Sequence, residues 1–416
     1  MVELVPRFIA SHAEEFLGSF RVLIINGPRQ SGKTTLLKQL GNRYGGTYLT
    51  LDDQALRAAS RADPGVFISA GNRPLMIDEV QRGGDDLVLA IKSAVDSQGA
   101  RGQFILAGST RFLSTPSLTE SLAGRAGIVE VWPFAEQELA RSNSSFIATA
   151  FTQAETLRSS LPSEYVRDDY FQLICRGSYP EPIAMQSERS RNEWYRTYIS
   201  AVIDTDVREM AQIETPSNLT QLLHLAAAST AQELNAVKAG SDLQLHRTTV
   251  SRYLNLLETV FLIRFLPAWS RNLVAKVVHR PKLHVTDTGL AAHLLGVDSD
   301  GLAARVSPAR GSLVESFIVN EVAKQASWAP FPVSLHHWRV SQGAEVDVVV
   351  ERANGKILGI EAKSTDSVDF KDFKGLSALR DALGESFIHG FVFYTGARPL
   401  SFGDRLTALP ISALWT

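Results

Sequence analysis

Short apolar runs separated by stretches of helical spacing dominate the first 140 residues. Runs of this kind, bounded by polar residues, are typical of buried strands in a parallel sheet whose faces are covered by helices. They lie at residues 22–25, 48–51, 75–77, 103–107 and 128–131. Residues 3–20 have the spacing of an amphipathic helix that leads into the first strand. The pattern therefore predicts an α/β domain built on a parallel sheet.

The loop after the first predicted strand has the spacing G-x-x-x-x-G-K-T, from Gly27 to Thr34. Its glycines let the backbone curl so that N–H groups point at phosphate oxygens, and the following helix adds the positive end of its dipole. Lys33 would reach the β- and γ-phosphates of ATP, and the Thr34 hydroxyl would bind Mg²⁺. An ordinary strand-to-helix turn is the alternative. The residues expected to contact ATP are Gly27, Arg29, Gln30, Ser31, Gly32, Lys33, Thr34 and Thr35.

Two adjacent carboxylates, Asp78 and Glu79, close the third predicted strand. An unpaired carboxylate at a buried strand end is costly, so the pair indicates a function rather than packing. Together with the upstream loop, Asp78 would hold Mg²⁺, directly or through water. Glu79 would polarise the water that attacks the γ-phosphate. A solvated strand end is the alternative.

Four segments together resemble a family of prokaryotic AAA+-type ATPases that carry a C-terminal domain of unknown function, DUF4143. The segments lie at residues 27–34, 77–81, 107–110 and 122–125. The resemblance extends over nearly the whole chain. It implies that Ser109, or Thr110 as a second choice, senses the γ-phosphate. Arg125 is a candidate arginine finger, supplied to a neighbouring subunit or in cis. For Ser109 and Thr110, the alternative is an ordinary turn after the fourth strand. For Arg125, the alternative is a surface ion pair.

Residues 141–215 have helical spacing and mixed charge, which predicts a helical linker. Residues 217–285 instead give the order helix, helix, helix, strand, strand, which is typical of a winged helix. The predicted helices lie at 219–228, 231–239 and 246–257, and the predicted strands at 261–266 and 282–285.

Basic residues accumulate between Gln244 and Val285, where seven Lys or Arg stand against one acid, Glu258. The seven are Arg247, Arg252, Arg264, Arg271, Lys276, Arg280 and Lys282. In a chain of net charge −2, this local excess is the expected footprint of contacts to DNA phosphates. Winged helices also pack on other protein domains, so DNA contact and protein contact both remain open.

The last part of the chain has the spacing D-x₁₃-E-x-K, from Asp347 to Glu361 and Lys363, after a predicted helix at 311–326 that carries Glu315. The pattern resembles the PD-(D/E)xK restriction-endonuclease-like fold. It implies an all-oxygen Mg²⁺ site of Glu315, Asp347 and Glu361, with Lys363 orienting or deprotonating the hydrolytic water. A surface hairpin with salt-bridged ends, or a fold of this kind that only binds, is the alternative.

Composition sets further limits. The chain has 416 residues, of which 44% are hydrophobic and 21% charged, as in ordinary globular proteins. A single cysteine, Cys175, permits no internal disulfide and fits a reducing compartment. The chain has no run of about 18 apolar residues, which is the length that a membrane-spanning helix needs. We therefore expect a cytoplasmic protein without a membrane partner.

The expected fold class is α/β multidomain. It comprises an AAA+-like P-loop NTPase sheet, a helical linker, a winged helix and a restriction-endonuclease-like α/β domain. The expected domains are residues 1–140, 141–215, 216–285 and 286–416.

Two functional hypotheses follow. The first is an ATP-hydrolysing protein that associates with DNA and has a nuclease-like C-terminal domain. The second is a non-catalytic regulator in which ATP sets assembly and the C-terminal domain binds a partner. A homo-oligomer is expected if Arg125 acts on a neighbouring subunit.

Overall fold

The computed structural model describes residues 4–111, 121–159, 162–208, 211, 215–270, 280–339 and 343–416. The chain forms two compact units. The first contains the chain up to Pro133 together with Thr259–Phe261, and the second contains Phe134–Glu258 and Leu262–Thr416. Over the described residues, no helix combines the length and the apolar character that crossing a lipid bilayer requires.

The first unit is built on a five-stranded parallel sheet in the order β2-β3-β4-β1-β5. Its strands are β1 (Val22–Asn26), β2 (Thr47–Thr50), β3 (Leu75–Asp78), β4 (Phe104–Gly108) and β5 (Ala126–Glu130). Its helices are α1 (Ile9–Ser19), α2 (Lys33–Tyr44), α3 (Gln54–Ala62), α4 (Pro64–Ser69) and α5 (Asp85–Gln98). Strands β1, β3 and β4 are buried along their full length, as expected for strands covered by helices. The predicted parallel α/β sheet is confirmed.

The register of this sheet brings the carboxyl ends of its strands to one edge. Asn26 of β1 pairs with Gly108 of β4 and with Glu130 of β5. Thr50 of β2 pairs with Asp78 of β3. The segments that follow β1, β3 and β4 therefore leave the sheet at the same edge, where open parallel sheets bind their ligands.

The second unit begins with a helical region, as predicted. Its helices are α6 (Glu136–Leu139), α7 (Phe146–Thr152), α8 (Arg167–Arg176), α9 (Pro180–Ala184) and α10 (Glu188–Ala201). A π-helical segment, Val202–Val207, continues α10.

Three helices and a three-stranded antiparallel sheet follow. The elements are α11 (Pro216–Ala228), β6 (Gln232–Glu233), α12 (Ala236–Leu243), α13 (Arg247–Thr259), β7 (Ile263–Leu266) and β8 (Lys282–Val285). Strand β8 lies between β6 and β7. The helix predicted from residue 231 starts later, because Ala231 has a φ of 65° and lies outside the helical region. Asn235 caps α12 by accepting hydrogen bonds from the N–H groups of Val237 and Lys238.

A six-stranded mixed sheet completes the second unit, in the order β13-β14-β12-β11-β10-β9. Its strands are β9 (Val333–Arg339), β10 (Glu345–Arg352), β11 (Ile357–Ala362), β12 (Phe387–Tyr394), β13 (Leu400–Ser401) and β14 (Leu406–Pro410). The helices of this region are α14 (Thr288–Leu295), α15 (Ser299–Ala303), α16 (Arg310–Ser327) and α17 (Lys374–Leu383). Strands β10 and β11 form an antiparallel hairpin in which Val348 pairs with Ile360.

Candidate functional site

The loop between β1 and α2 curls tightly because two of its glycines adopt backbone conformations that other residues rarely reach. Gly27 has a φ of 147°, and a Cβ there would lie 2.2 Å from the carbonyl oxygen of Val131. Gly32 has a φ of 98° and caps the N-terminus of α2. A loop with this course can direct successive N–H groups inward, and α2 adds the positive end of its dipole at Lys33.

Three side chains line or hold this loop. The buried Lys33 ammonium donates a hydrogen bond to the Pro28 carbonyl at 2.7 Å. The Ser31 hydroxyl is buried and has no hydrogen-bond partner among the described residues. Arg7 donates hydrogen bonds to the carbonyl of Ser31, at 2.7 Å, and to that of Trp132. A buried lysine and an unsatisfied hydroxyl inside a curled loop fit a phosphate group.

The other predicted ATP contacts lie on the outer side of the loop and the first turn of α2. Gln30, Thr34 and Thr35 are exposed, and Arg29 is partly exposed. Gln30 adopts a left-handed conformation with a φ of 60°.

The predicted metal ligands of the first unit are in direct contact. The Thr34 hydroxyl donates to the Asp78 carboxylate at 2.7 Å, across 44 residues of sequence. The Tyr48 hydroxyl donates to the same carboxylate at 3.1 Å. Burial, together with the charge of Asp78, raises the pKa of Tyr48 to about 12, so Tyr48 stays a hydrogen-bond donor at neutral pH. The hydroxyl and the carboxylate are oxygen ligands of the kind that Mg²⁺ prefers.

Glu79, the residue predicted to act on water, lies beside Ser109. The Ser109 hydroxyl donates to the Glu79 carboxylate at 3.3 Å, and the Gln81 amide donates to the same oxygen. Glu79 has a φ of 51°, in the left-handed region, and β3 ends at the preceding residue, Asp78. The structure therefore brings Ser109 and Glu79 together. Gln81 was not predicted as a site residue.

Arg125 lies at the opposite edge of the sheet from the loop. It precedes β5, whose first residue, Ala126, pairs with the first residue of β1, Val22, whereas the loop follows the last residue of β1. Its guanidinium donates two hydrogen bonds to the Asp96 carboxylate, at 2.5 and 3.0 Å. An arginine finger in cis is therefore wrong for this residue. Action on a neighbouring subunit is untested and stays a prediction.

Two of the three carboxylates predicted to hold a metal in the second unit, Glu315 and Asp347, contact a lysine instead. The Lys282 ammonium lies 2.7 Å from Glu315, 3.0 Å from Asp347 and 2.6 Å from Glu345. We call these four residues the lysine clasp. Among the described residues, no group of three or more His, Cys, Asp or Glu side chains is arranged to hold a metal ion. The predicted Mg²⁺ site of Glu315, Asp347 and Glu361 is therefore not formed, because the Lys282 ammonium contacts Glu315 and Asp347 while Glu361 contacts Lys363.

The charge of Lys282 is stabilised by its neighbours. Burial disfavours the ammonium, but Asp347, Glu315 and Glu345 outweigh this effect and raise the pKa of Lys282 above its ordinary value. Lys282 was counted in the sequence as part of a basic surface. It is 4% exposed, so it cannot contribute to one.

Glu361 and Lys363 lie next to the clasp and contact each other. The Lys363 ammonium is 3.0 Å from a Glu361 carboxylate oxygen, and the backbone N–H of Ala362 donates to Asp347 at 3.0 Å. Burial, together with the charge of Asp347, raises the pKa of Glu361 to about 8. The structure brings the D-x₁₃-E-x-K residues together, but as a salt-bridged cluster rather than as a metal centre.

The remaining basic residues of the 244–285 segment differ in exposure. Arg247 and Arg252 lie exposed on α13, Arg280 is exposed, and Arg264 is partly buried. Arg271 and Lys276 lie outside the described residues.

The parallel sheet and the loop between β1 and α2 define the first unit as a P-loop nucleoside triphosphatase fold. Residues 19–140 match the family model described as an AAA domain, and residues 310–414 match the domain of unknown function DUF4143. The chain therefore contains an AAA-type P-loop ATPase domain and a C-terminal DUF4143 domain, as the resemblance implied. Residues 167–301 match a further domain of unknown function, DUF8612.

Related proteins of known sequence extend over most of the chain. An uncharacterized protein of Mycobacterium tuberculosis is 27% identical over 397 residues, which cover 95% of this chain and 81% of that protein. An uncharacterized protein of Mycobacterium bovis matches with the same values. Among solved structures, a Walker-type ATPase of Pyrococcus abyssi has a TM-score of 0.44 and 15% identity, covering 70% of this chain and 96% of the other.

Proposed function

We propose that the first unit binds ATP with Mg²⁺ and hydrolyses it. The observation that carries this proposal is the contact between Thr34 and Asp78 at 2.7 Å, beside the curled loop and at the carboxyl edge of the sheet. The two residues come from different elements, and their meeting provides a hydroxyl and a carboxylate at one point. A bound Mg²⁺ would neutralise charge on the phosphates there.

The other residues of this edge take distinct roles. Lys33 would leave the Pro28 carbonyl to contact the β- and γ-phosphates, and Ser31 offers a free hydroxyl inside the loop. Glu79 would orient the attacking water and accept its proton. Ser109 and Gln81 hold the Glu79 carboxylate in position by hydrogen bonds. Contact of Ser109 with the γ-phosphate would follow from the same position.

The proposal is tested by nucleotide binding and turnover of three variants of the full chain. We expect Lys33→Ala to weaken ATP binding by about 100-fold, because alanine offers no charged donor to the phosphates. Glu79→Gln should bind ATP normally and turn it over about 100-fold more slowly. Lys92→Ala, on α5 and away from the loop, is the matched control. If the parent protein, Lys33→Ala and Glu79→Gln hydrolyse ATP at equal rates, the proposal is wrong. If the parent protein binds ATP tightly but does not hydrolyse it, the regulator hypothesis is favoured.

We further propose that the protein associates with DNA through residues 216–285, as a winged helix. Two observations support this. The order α11, β6, α12, α13, β7, β8, with β8 in the centre of the sheet, is the order expected of a winged helix. In addition, α13 carries two exposed arginines, Arg247 and Arg252, on a polar face.

For the C-terminal region we propose a nuclease-like fold that binds without cleaving. The hairpin of β10 and β11 supports the fold, since it carries Asp347, Glu361 and Lys363 at neighbouring positions. The lysine clasp supports the loss of cleavage, since the Lys282 ammonium already contacts the Glu315 and Asp347 carboxylates. We also propose that the chain divides into domains at residues 140, 215 and 285. We further propose that it self-associates in the presence of ATP.

A further inference from the structure

The lysine clasp gathers three carboxylates around one buried ammonium. Lys282 begins β8, where it pairs in the sheet with Glu233 of β6 and Leu266 of β7. Its side chain meets Glu315 on α16 and Glu345 and Asp347 on β10. Carboxylates from two separate elements, α16 and β10, therefore converge on a single cation that a third element, β8, supplies.

We propose that the Lys282 ammonium replaces a divalent cation in the C-terminal domain, so that this domain takes up no Mg²⁺ while the lysine is in place. The inference concerns the second unit and is independent of ATP hydrolysis in the first. It goes beyond the absence of cleavage, because it assigns the missing metal's position and charge to a named side chain.

Geometry makes the two cations mutually exclusive. The ammonium sits 2.6 to 3.0 Å from an oxygen of each carboxylate. A Mg²⁺ ion needs the same oxygens at about 2.1 Å, with waters completing an octahedron. Both cations would then lie within a few ångströms of each other with like charge. A metal ion could enter only if the Lys282 side chain left.

Access does not exclude a metal ion. The clasp forms part of the wall of a pocket of about 670 Å³, which is also lined by Gln232, Ser312 and Glu361. The pocket is polar and large enough for a hydrated ion. The lysine, rather than burial of the carboxylates, is therefore what keeps a divalent cation out.

Removing the lysine should leave a metal site. Without the ammonium, Glu315, Glu345 and Asp347 would repel one another, with Arg339 at 3.9 Å from Glu345 as a nearby cation, and this repulsion destabilises the fold. A divalent cation would relieve that repulsion, so binding and stabilisation should appear together.

The experiment compares Mn²⁺ binding to the nucleotide-free full chain and to Lys282→Met, by electron paramagnetic resonance and by thermal unfolding. We expect Lys282→Met to bind one more Mn²⁺ than the parent protein and to unfold about 5 °C higher when Mn²⁺ is added. The parent protein should show no such shift. Lys282→Met/Asp347→Asn, which lacks one of the ligands, is the control and should lose the additional ion. Any Mn²⁺ bound by the first unit should be bound equally by the parent protein and both variants, so it does not affect the comparison.

Two results would overturn the inference. The first is a Mn²⁺ ion that the parent protein binds and Asp347→Asn does not. The second is a folded Lys282→Met protein that gains no ion.

A measurement on the parent protein covers the case in which Lys282→Met fails to fold. Amine acylation followed by mass spectrometry should label Lys282 at least about tenfold more slowly than the exposed Lys371 and Lys374, because acylation requires the clasp to open. Equal labelling would contradict a closed clasp. Addition of Mn²⁺ should leave the labelling of Lys282 unchanged, and faster labelling would show that the metal displaces it.

Discussion

A single guanidinium fixes the backbone of the phosphate-binding loop. Arg7 donates hydrogen bonds to two carbonyls, one in the loop, on Ser31, and one after β5, on Trp132. Charged donors bonded to backbone carbonyls are among the stronger hydrogen bonds in proteins. The loop therefore has its shape before a nucleotide arrives, which lowers the ordering cost of binding.

We expect Arg7→Met to raise the dissociation constant for ATP about tenfold, because both hydrogen bonds that hold the loop are lost. The turnover number should change less, because Arg7 acts on the loop and not on the water. The measurement is a titration with a fluorescent ATP analogue, together with turnover at saturating ATP. Arg43→Met, an exposed arginine on α2, is the matched control. A fall in turnover with unchanged affinity would contradict this role.

The residues that sequence could identify are those whose chemistry is written in one short segment. Lys33 and Thr34 share a loop motif, and Asp78 and Glu79 close a strand, so local spacing was enough. Arg7 and Lys282 could not be found in this way. Arg7 acts on a carbonyl 24 residues away, and Lys282 meets carboxylates 33 to 65 residues away. Nothing local distinguishes such a lysine from a surface lysine.

At the scale of single elements, α13 has two chemically distinct faces. Its buried face consists of Val250, Tyr253, Leu254 and Leu257. Its exposed face carries Arg247, Thr248, Ser251, Arg252 and Asn255. Hydroxyls, an amide and two guanidinium groups are the side chains that contact phosphates and base edges in DNA complexes. The helix is thus suited to the contact with DNA that we propose for residues 216–285.

Reversing the charge of that face should weaken DNA binding. We expect Arg247→Glu/Arg252→Glu to reduce affinity for duplex DNA and to lower the slope of log affinity against log salt by about 2, because each arginine would neutralise one phosphate. Fluorescence anisotropy at several salt concentrations measures both quantities. Arg189→Glu/Arg196→Glu, at two exposed arginines of α10, changes the net charge by the same amount and is the control. If the control and the double variant bind alike, α13 is not the DNA-binding element.

The sequence located elements well wherever hydrophobic spacing decided the structure. It predicted α13 at residues 246–257, and the helix spans Arg247–Thr259. It failed at residues 231–235, where Ala231, Gln232, Glu233 and Leu234 favour a helix but the chain forms β6 instead. Ala231 takes a positive φ there, and its N–H donates to Leu283 of β8 at 2.7 Å. Pairing with a strand distant in sequence therefore outweighed local propensity.

At the scale of the whole molecule, we expect a buried histidine to make the second unit sensitive to acid. His389 on β12 is 1% exposed, and it shares a hydrogen bond with the Thr407 hydroxyl at 2.9 Å. Burial, aided by the positive charges of Arg158 and Arg405, lowers the pKa of His389 to about 4. The unfolded chain binds a proton at this histidine near pH 6.5, while the folded chain does not.

We therefore expect the stabilising effect of the neutral His389 to be complete above pH 6.5 and to disappear as the pH falls towards 4. Between pH 7.5 and pH 5 this histidine should cost the fold about 2 kcal/mol of unfolding free energy. His389→Gln, which can keep the bond to Thr407, should lose less stability over the same interval. Urea unfolding at the two pH values measures the difference, and His246→Gln, at an exposed histidine, is the control. Identical losses in the parent protein and His389→Gln would refute this assignment.

The division of the chain has a practical consequence for anyone who isolates the ATPase unit. Thr259–Phe261 belongs to that unit although it is more than 120 residues beyond Pro133. The Thr259 carbonyl accepts a hydrogen bond from the backbone of Arg111 at 2.9 Å, and the Phe261 ring packs edge-on against Trp132 with centroids 5.4 Å apart. A fragment that stops at residue 140 would lack Thr259–Phe261, three buried residues of the first unit. Truncation is therefore a poor way to dissect this protein, and point substitutions in the intact polypeptide are the sounder route.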